Sequence, residues 1–302
     1  MENTSTKDIV IVTAVAAVIG AAYILFNRKW KPKVLLKNAE EKYSVTLMEK
    51  IPLTHDVRKF RFKLPANDME LGLPLGQHIY LLVTIDNKLV IRPYTPTSDE
   101  HQKGYFDLVV KVYFKNVHPK FPDGGKMSQY LESMAVGDEM VIRGPNGLIN
   151  YLRKGQFAVK KNKTSAPEMK YYKNVGMIAG GTGLTPMLQI ISHALKDPRD
   201  YTKFFLLYAN QTEKDIILRE DLENLQACYP DRFKLWYTVD KAETTDWKYS
   251  TGFISDEMIK NHMPPADNDS CILLCGPPPM INFACNPNLD KLGYMLQNRF
   301  TF

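Results

Sequence analysis

Cysteine, tryptophan and histidine are scarce in this chain, with four, three and six copies among 302 residues. The cysteines (Cys228, Cys271, Cys275, Cys285) form no CxxC pair and no Cys/His cluster, which excludes a disulfide framework and a zinc site of ordinary spacing. Reduced thiols in the cytosol are expected. The scattered histidines join no Ser/His/Asp or Cys/His pattern, so nucleophilic hydrolysis is excluded. No basic run interleaved with aromatics is present, and a net charge of +6 is too mild an excess to imply nucleic acid as a partner.

One long apolar run is present. Residues 9–26, IVIVTAVAAVIGAAYILF, carry no charge and reach the lower limit for spanning a bilayer. Asn27-Arg28-Lys29-Trp30-Lys31-Pro32-Lys33 follows it, whereas Glu2, Lys7 and Asp8 precede it. By the positive-inside bias the bulk of the chain is expected on the cytosolic side, tethered by a retained transmembrane helix. No basic stretch precedes the run and no small-residue cleavage pattern follows it, which argues against a removed secretory signal. Met1-Glu2 excludes myristoylation.

Four segments follow from the patterning: an anchor with its basic flank (1–33), a β-rich domain (34–149), a linker (150–173) and an α/β domain (174–302). The second shows period-two stretches such as Val57-Arg58-Lys59-Phe60-Arg61-Phe62, separated by turn residues, and reads as a small antiparallel β-barrel. One helix, 128–134, interrupts it. The polar, lysine-rich 150–173 lacks an apolar period and reads as a linker with a hairpin. Beyond it, apolar runs such as Cys271-Ile272-Leu273-Leu274-Cys275 alternate with helical stretches at 186–196 and 218–229. That is the pattern of a buried parallel sheet, with ligands expected at the carboxyl ends of its strands.

Five motifs carry chemistry. In Arg92-Pro93-Tyr94-Thr95 the arginine offers a forked charge for a pyrophosphate, the tyrosine a ring to pack on a flavin and the threonine a small hydroxyl; an ordinary turn is the alternative. Gly124-Gly125-Lys126-Met127-Ser128 opens a helix with Ser128 placed as N-cap, leaving first-turn amides for an anion, or else it is a capped helix with no ligand. Gly180-Gly181-Thr182-Gly183-Leu184-Thr185-Pro186 joins a strand to a helix with Pro186 in the first helical position. It lacks the last glycine of GxGxxG, yet it still makes a phosphate cradle or a tight turn. Asp240 ends a strand, where a carboxylate accepts ribose hydroxyls and repels a 2′-phosphate, favouring NADH over NADPH; strand-end aspartates also serve as turn residues. Cys275-Gly276-Pro277-Pro278-Pro279-Met280 fixes a rigid backbone suited to lie beside a planar ring, with Cys275 alternatively a small buried apolar residue. His78, inside a strand, reads as structural. Phosphate- and ring-handling segments in this order point to a flavin enzyme fed by a nicotinamide.

With these residues, and with Gly76-Gln77-His78-Ile79-Tyr80-Leu81, Val117-His118-Pro119-Lys120-Phe121-Pro122 and residues 209–216, the chain resembles the membrane-anchored NADH-cytochrome b5 reductases within the ferredoxin-reductase-like flavoproteins. The resemblance implies an FAD-binding barrel, then an NADH-binding α/β domain. It assigns Arg92, Pro93, Tyr94 and Thr95 to the flavin and its pyrophosphate. Val109, Lys111 and Phe114 would line the flavin, with Lys111 also near the nicotinamide. Gly125, Lys126, Met127 and Ser128 would complete the phosphate side, and Thr182 and Thr185 would sit between the two rings. Asp240 would meet the adenosine ribose, while Cys275, Gly276 and Pro277 would lie beside the nicotinamide. Thr95, Lys111 and Cys275 are the expected catalytic group, with no metal. Hydride would pass from NADH to FAD, then single electrons to cytochrome b5, an acidic haem protein; Lys160, Lys161, Lys163, Lys170 and Lys173 are candidates for the docking face. A related dehydrogenase serving quinones or a desaturase system is the alternative. A monomer on the endoplasmic reticulum or outer mitochondrial membrane is expected. Leu184 stands where isoleucine is more usual, and the tail Arg299-Phe300-Thr301-Phe302 is only similar, which leaves the role of Phe302 open.

Overall fold

The computed structural model describes residues 32–302 except 118 and 120, together with Gly20. Apart from Gly20, the apolar run 9–26 read as a membrane anchor lies outside the described residues. Among the described residues no helix is long and apolar enough to cross a membrane.

The first lobe is a six-stranded antiparallel sheet. In chain order its strands are β2 (Lys42–Pro52), β3 (Val57–Lys63), β5 (His78–Ile85), β6 (Lys88–Tyr94), β7 (Tyr105–Lys111) and β8 (Glu139–Asn146), beside a short parallel pair, β1 (Lys33–Val34) and β4 (Met69–Glu70). The spatial order is β6-β5-β8-β2-β3-β7. The expected barrel is thus a sheet whose edge strands are β6 and β7; just beyond β6, Thr97 N donates to Asp107 O of β7 at 2.9 Å. Period-two side chains fill the core from alternate positions: Phe60 and Phe62 are fully buried with Leu108, Ile79 and Leu81. Helix α1 (Lys126–Ser133) packs Met127 and Leu131 into the same core.

In β7 burial is nearly continuous because both faces are covered. Phe106, Leu108 and Val110 face the sheet core, while Val109 joins Val57 against Ile217 of the second lobe. Buried Asp107 is satisfied by Arg61, whose Nε and Nη2 donate to its two oxygens at 2.8 and 2.9 Å.

Most of the expected linker is folded. Strands β9 (Ile149–Arg153), β10 (Gln156–Val159) and β11 (Glu168–Tyr171) form an antiparallel meander. Its Tyr151 and Phe157, with Tyr172 just beyond, are buried in the core of the second lobe, which the polar composition of 150–173 did not suggest. The Tyr151 hydroxyl donates to fully buried Asp200, and desolvation raises the phenol above its ordinary range.

The second lobe holds strands β12 (Asn174–Gly180), β13 (Lys203–Asn210), β14 (Phe233–Val239), β15 (Ser250–Thr251), β16 (Ser270–Cys275) and β17 (Arg299–Thr301), all parallel, in the order β15-β14-β13-β12-β16-β17. Helices α2 (Leu184–Lys196), α3 (Arg219–Cys228), α4 (Asp256–His262) and α5 (Asn286–Lys291) complete it. Met177 and Ala179 enter one core layer and Ile178 the other, so both faces of β12 are covered, as its unbroken apolar run requires. Strand order reverses between β13 and β16 about β12, which opens a crevice at the carboxyl ends of β12 and β16.

Candidate cofactor cleft

A cavity of about 1470 Å³ lies where the ends of β6 and β7 meet the carboxyl ends of β12, β13, β14 and β16. Pockets for one drug-sized molecule hold roughly 300–1,000 Å³, so this one has room for two. Of the residues picked out from the sequence, Arg92, Pro93, Tyr94, Thr95, Val109, Lys111, Gly125, Lys126, Met127, Ser128, Thr182, Thr185, Asp240, Cys275, Gly276 and Pro277 all line it.

On the first-lobe side, Arg92 and Lys126 are exposed to the cavity, and among the described residues neither forms an ion pair. Tyr94 beside them is half-buried, and desolvation raises its phenol far above the ordinary range, so it stays a neutral ring. Gly124 has φ +66°, and a Cβ there would lie 2.3 Å from Tyr113 O; only glycine permits this turn. That turn starts α1 two residues before the expected cap. Gly125 occupies the N-cap position, and Ser128 lies within the helix, so the expected capping role is corrected. Its hydroxyl instead accepts from Tyr113 N at 3.1 Å and donates to Gly125 O at 3.1 Å, pinning the strand exit to the helix. The first amides of α1, which have no intrahelical acceptor, belong to residues lining the cavity. Tyr113 lines the cleft, and Phe114 is not among its lining residues.

On the second-lobe side, a 3-10 turn, Gly181–Gly183, joins β12 to α2. The helix begins at Leu184, so Pro186 is its third residue and not its first; its missing N–H is still among the amides that lack intrahelical acceptors. Thr185 Oγ1 donates to Thr182 O at 3.1 Å and Tyr208 OH to Gly181 O at 3.0 Å, fixing the turn. A Cβ on Gly183 would lie 2.2 Å from Cys275 O, so the turn and the proline segment after β16 touch backbone to backbone. Burial pushes the Cys275 thiol up to about 11, which keeps it protonated and uncharged. Asp240 ends β14, its carboxyl raised by burial and then by the charge of Asp215.

Lys111 has company the sequence did not announce. Its Nζ lies 2.7 Å from Asp56 Oδ2 and 3.8 Å from Asp215 Oδ1, so its positive charge is offset by carboxylates from both lobes. His55 Nε2 stands 3.4 and 3.9 Å from the same pair. Among the described residues, His55, Asp56 and Asp215 bring metal-ligating atoms within 4.8 Å of one another, and the Lys111 ammonium already supplies the cation. Asp215 lies within the stretch 209–216 used for the resemblance, the one signal that pointed to it. Exposed Phe253 and Phe283 also line the cavity, and neither was anticipated. His78 also lines the cavity; its Nε2 is buried without a partner among the described residues, and burial followed by the charge of Lys163 lowers its pKa. Phe302 lines the cleft too, its N–H donating to Leu274 O at 3.0 Å.

Two uncompensated cations, glycine-bounded helix starts and apolar walls suit a planar ring with a diphosphate tail. The second glycine turn, with the Asp240 carboxylate beyond the end of β14, suits another nucleotide. Residues 44–151 match the family model described as oxidoreductase FAD-binding domain, and residues 177–286 match that of the oxidoreductase NAD-binding domain. The chain is 55% identical to NADH-cytochrome b5 reductase 1 of Homo sapiens over 292 residues, which covers 97% of this chain and 95% of the relative. It is likewise 55% identical to NADH-cytochrome b5 reductase 3 of Rattus norvegicus over 298 residues, 99% of this chain and 98% of that one. Among solved structures it is similar to the cytochrome b5 reductase domain of Ulva prolifera nitrate reductase, with a TM-score of 0.82 and 45% identity over 88% of this chain and 98% of the other.

Proposed function

The chain belongs to the NADH-cytochrome b5 reductase family and is an FAD-dependent NADH oxidoreductase, and we propose that it passes single electrons to a cytochrome b5 at the cytosolic face of a membrane. The observation that carries the proposal is the single cleft in which the flavin-side edge of β6 and β7 faces the nucleotide-side turns after β12 and β16. In this reading residues 34–149 hold FAD, 174–302 hold NADH, and 150–173 join them.

Bound FAD supplies the conversion of a two-electron hydride delivery into one-electron steps. The chain's residues align and enclose. Arg92, Lys126 and the first amides of α1 hold the diphosphate by charge and donated hydrogen bonds. Pro93, Tyr94, Val109 and Met127 give apolar contact, and the Thr95 hydroxyl offers a hydrogen bond at the ring edge. Gly180 to Gly183 let the nicotinamide nucleotide approach the backbone, with Thr182 and Thr185 between the two rings. Protonated Cys275 and the rigid Gly276-Pro277 segment form its far wall, and Asp240 accepts the ribose hydroxyls. No side chain needs to act as a general acid or base in hydride delivery.

The haem partner is read from the family together with the basic patch. Lys173 is paired with Asp269 at 2.8 Å and Lys170 with Glu168 at 3.4 Å, so Lys161 and Lys163, both exposed, are the better contacts for acidic groups. Residues 9–26 would anchor the chain as a monomer in the endoplasmic reticulum or outer mitochondrial membrane. The test uses full-length protein in detergent. It should be yellow, bleach anaerobically with NADH and reduce added cytochrome b5. A colourless protein inert to NADH sinks the cleft reading; a yellow one that bleaches but passes electrons only to quinones sinks the acceptor.

A further inference from the structure

One face of α2 is polar in an otherwise apolar helix. Thr185, Gln189, His193 and Lys196 fall at i, i+4, i+8 and i+11, and all but Thr185 reach side chains or backbone of other elements. Thr185 lines the cofactor cleft. At the far end, His193 meets Glu100 and Arg153, and Lys196 Nζ lies 2.8 Å from Asp99 Oδ2. Between them sits Gln189, buried at 7% exposure.

The Gln189 amide grips the first lobe by its backbone. Its Oε1 accepts from Gly76 N at 2.7 Å, and its Nε2 points at Pro96 O, 3.5 Å away. Pro96 follows Thr95 directly, and Gly76 lies two residues before β5, whose first residue, His78, lines the cleft. The helix bearing Gln189 itself grows out of the Gly181–Gly183 turn that abuts Cys275. The amide does this from two separate atoms, its oxygen accepting from one backbone segment and its nitrogen donating to the other.

We infer that Gln189 is a positioning residue for hydride delivery: it sets how the nicotinamide-side turn of one lobe faces the Arg92-to-Thr95 edge of the other. The inference rests on the cleft holding FAD and NADH. Hydride passes only between closely aligned centres, and a misplacement of about 1 Å costs roughly 10²-fold in rate. A tie one helical turn from Thr185 controls that alignment without touching either cofactor.

The test compares wild-type holoenzyme with Gln189→Met, which keeps the length and removes the amide, and with Gln189→Glu, which keeps the acceptor for Gly76. Anaerobic stopped-flow should give a limiting rate of bleaching roughly tenfold lower for Gln189→Met, with NADH affinity and FAD content within about two-fold of wild type. Gln189→Glu should fall between the two. A Gln189→Met limiting rate within about two-fold of wild type overturns the inference, as does a fall in rate matched by an equal loss of FAD or NADH affinity. Should Gln189→Met not fold, a wild-type limiting rate in Gln189→Glu overturns it and a reduced one supports it. Wild-type protein that fails to bleach with NADH would instead refute the cleft reading, so the two failures are distinct.

Discussion

Lys111 and Asp215 face each other across the junction of the two lobes, Nζ to Oδ1 3.8 Å, with Asp56 closing the group at 2.7 Å from the ammonium. Asp215 also receives Thr212 N at 3.0 Å and Thr212 Oγ1 at 2.7 Å on its other oxygen, so its position is fixed from within its own lobe. The cation at the cleft is therefore held in place by both lobes. Lys111→Ala removes it and leaves two carboxylates facing each other with only His55 beside them. The NADH requirement should rise and flavin reduction slow by roughly tenfold, with FAD retention much less affected. Stopped-flow reduction at the wild-type rate would refute this role.

In the proposed site Asp240 would govern the choice of nucleotide. Its carboxylate repels a 2′-phosphate, so Asp240→Thr should improve the NADPH-to-NADH ratio of kcat/KM by about tenfold, the equivalent of about 1.4 kcal/mol. Steady-state kinetics with both nucleotides decide it, and an unaltered preference would remove Asp240 from the ribose site.

Gly183 has no room for a methyl group. In Gly183→Ala the new Cβ meets the Cys275 carbonyl at 2.2 Å, and backbone must move on one side or the other. Overpacking of this kind costs about 1–3 kcal/mol. A lower Tm, together with weaker NADH binding and unchanged FAD content, is expected; calorimetry and a nucleotide titration would expose the error if neither moved.

His193 ties stability to pH. Arg153 Nε donates to His193 Nε2 at 2.8 Å, so the ring is neutral with its proton on Nδ1, 3.4 Å from Glu100. Burial chiefly, and Arg153 in part, hold its pKa below the ordinary value against the opposing pull of Glu100. The unfolded chain binds this proton below about pH 6.5, before the folded one does. Its contribution is thus present above that pH and lost as pH falls toward the folded pKa. Half-buried His78 and His262 act in the same direction. His193→Gln, which keeps a donor and an acceptor, should flatten the slope of Tm below about pH 6.5. A slope identical to wild type would exclude His193 as a contributor.

Much of the cleft was legible because its parts are local. Glycine runs, a proline after a strand and a strand-end aspartate announce turns through backbone geometry alone, and residues 92–95, 124–128, 180–183, 185, 186 and 275–280 do line one cavity. Boundaries were less secure. Ser128 looked like a cap because capping residues are short and polar, but the positive φ of Gly124 started the helix earlier.

From the order of its residues alone this chain declared an antiparallel lobe, a parallel α/β lobe and the loops that meet nucleotides, because period-two alternation, unbroken apolar runs and glycine turns act over a few neighbouring positions. Tertiary structure alone decided that Asp56 and Asp215 would neutralise Lys111, that Tyr151 would bury its hydroxyl against Asp200, and that Gln189 would reach Gly76 and Pro96. Those partners are far apart in the chain. No local pattern encodes their meeting; for Lys111 with Asp215 and for Gln189 it depends on how the apolar contact of Val57 and Val109 with Ile217 seats one lobe on the other.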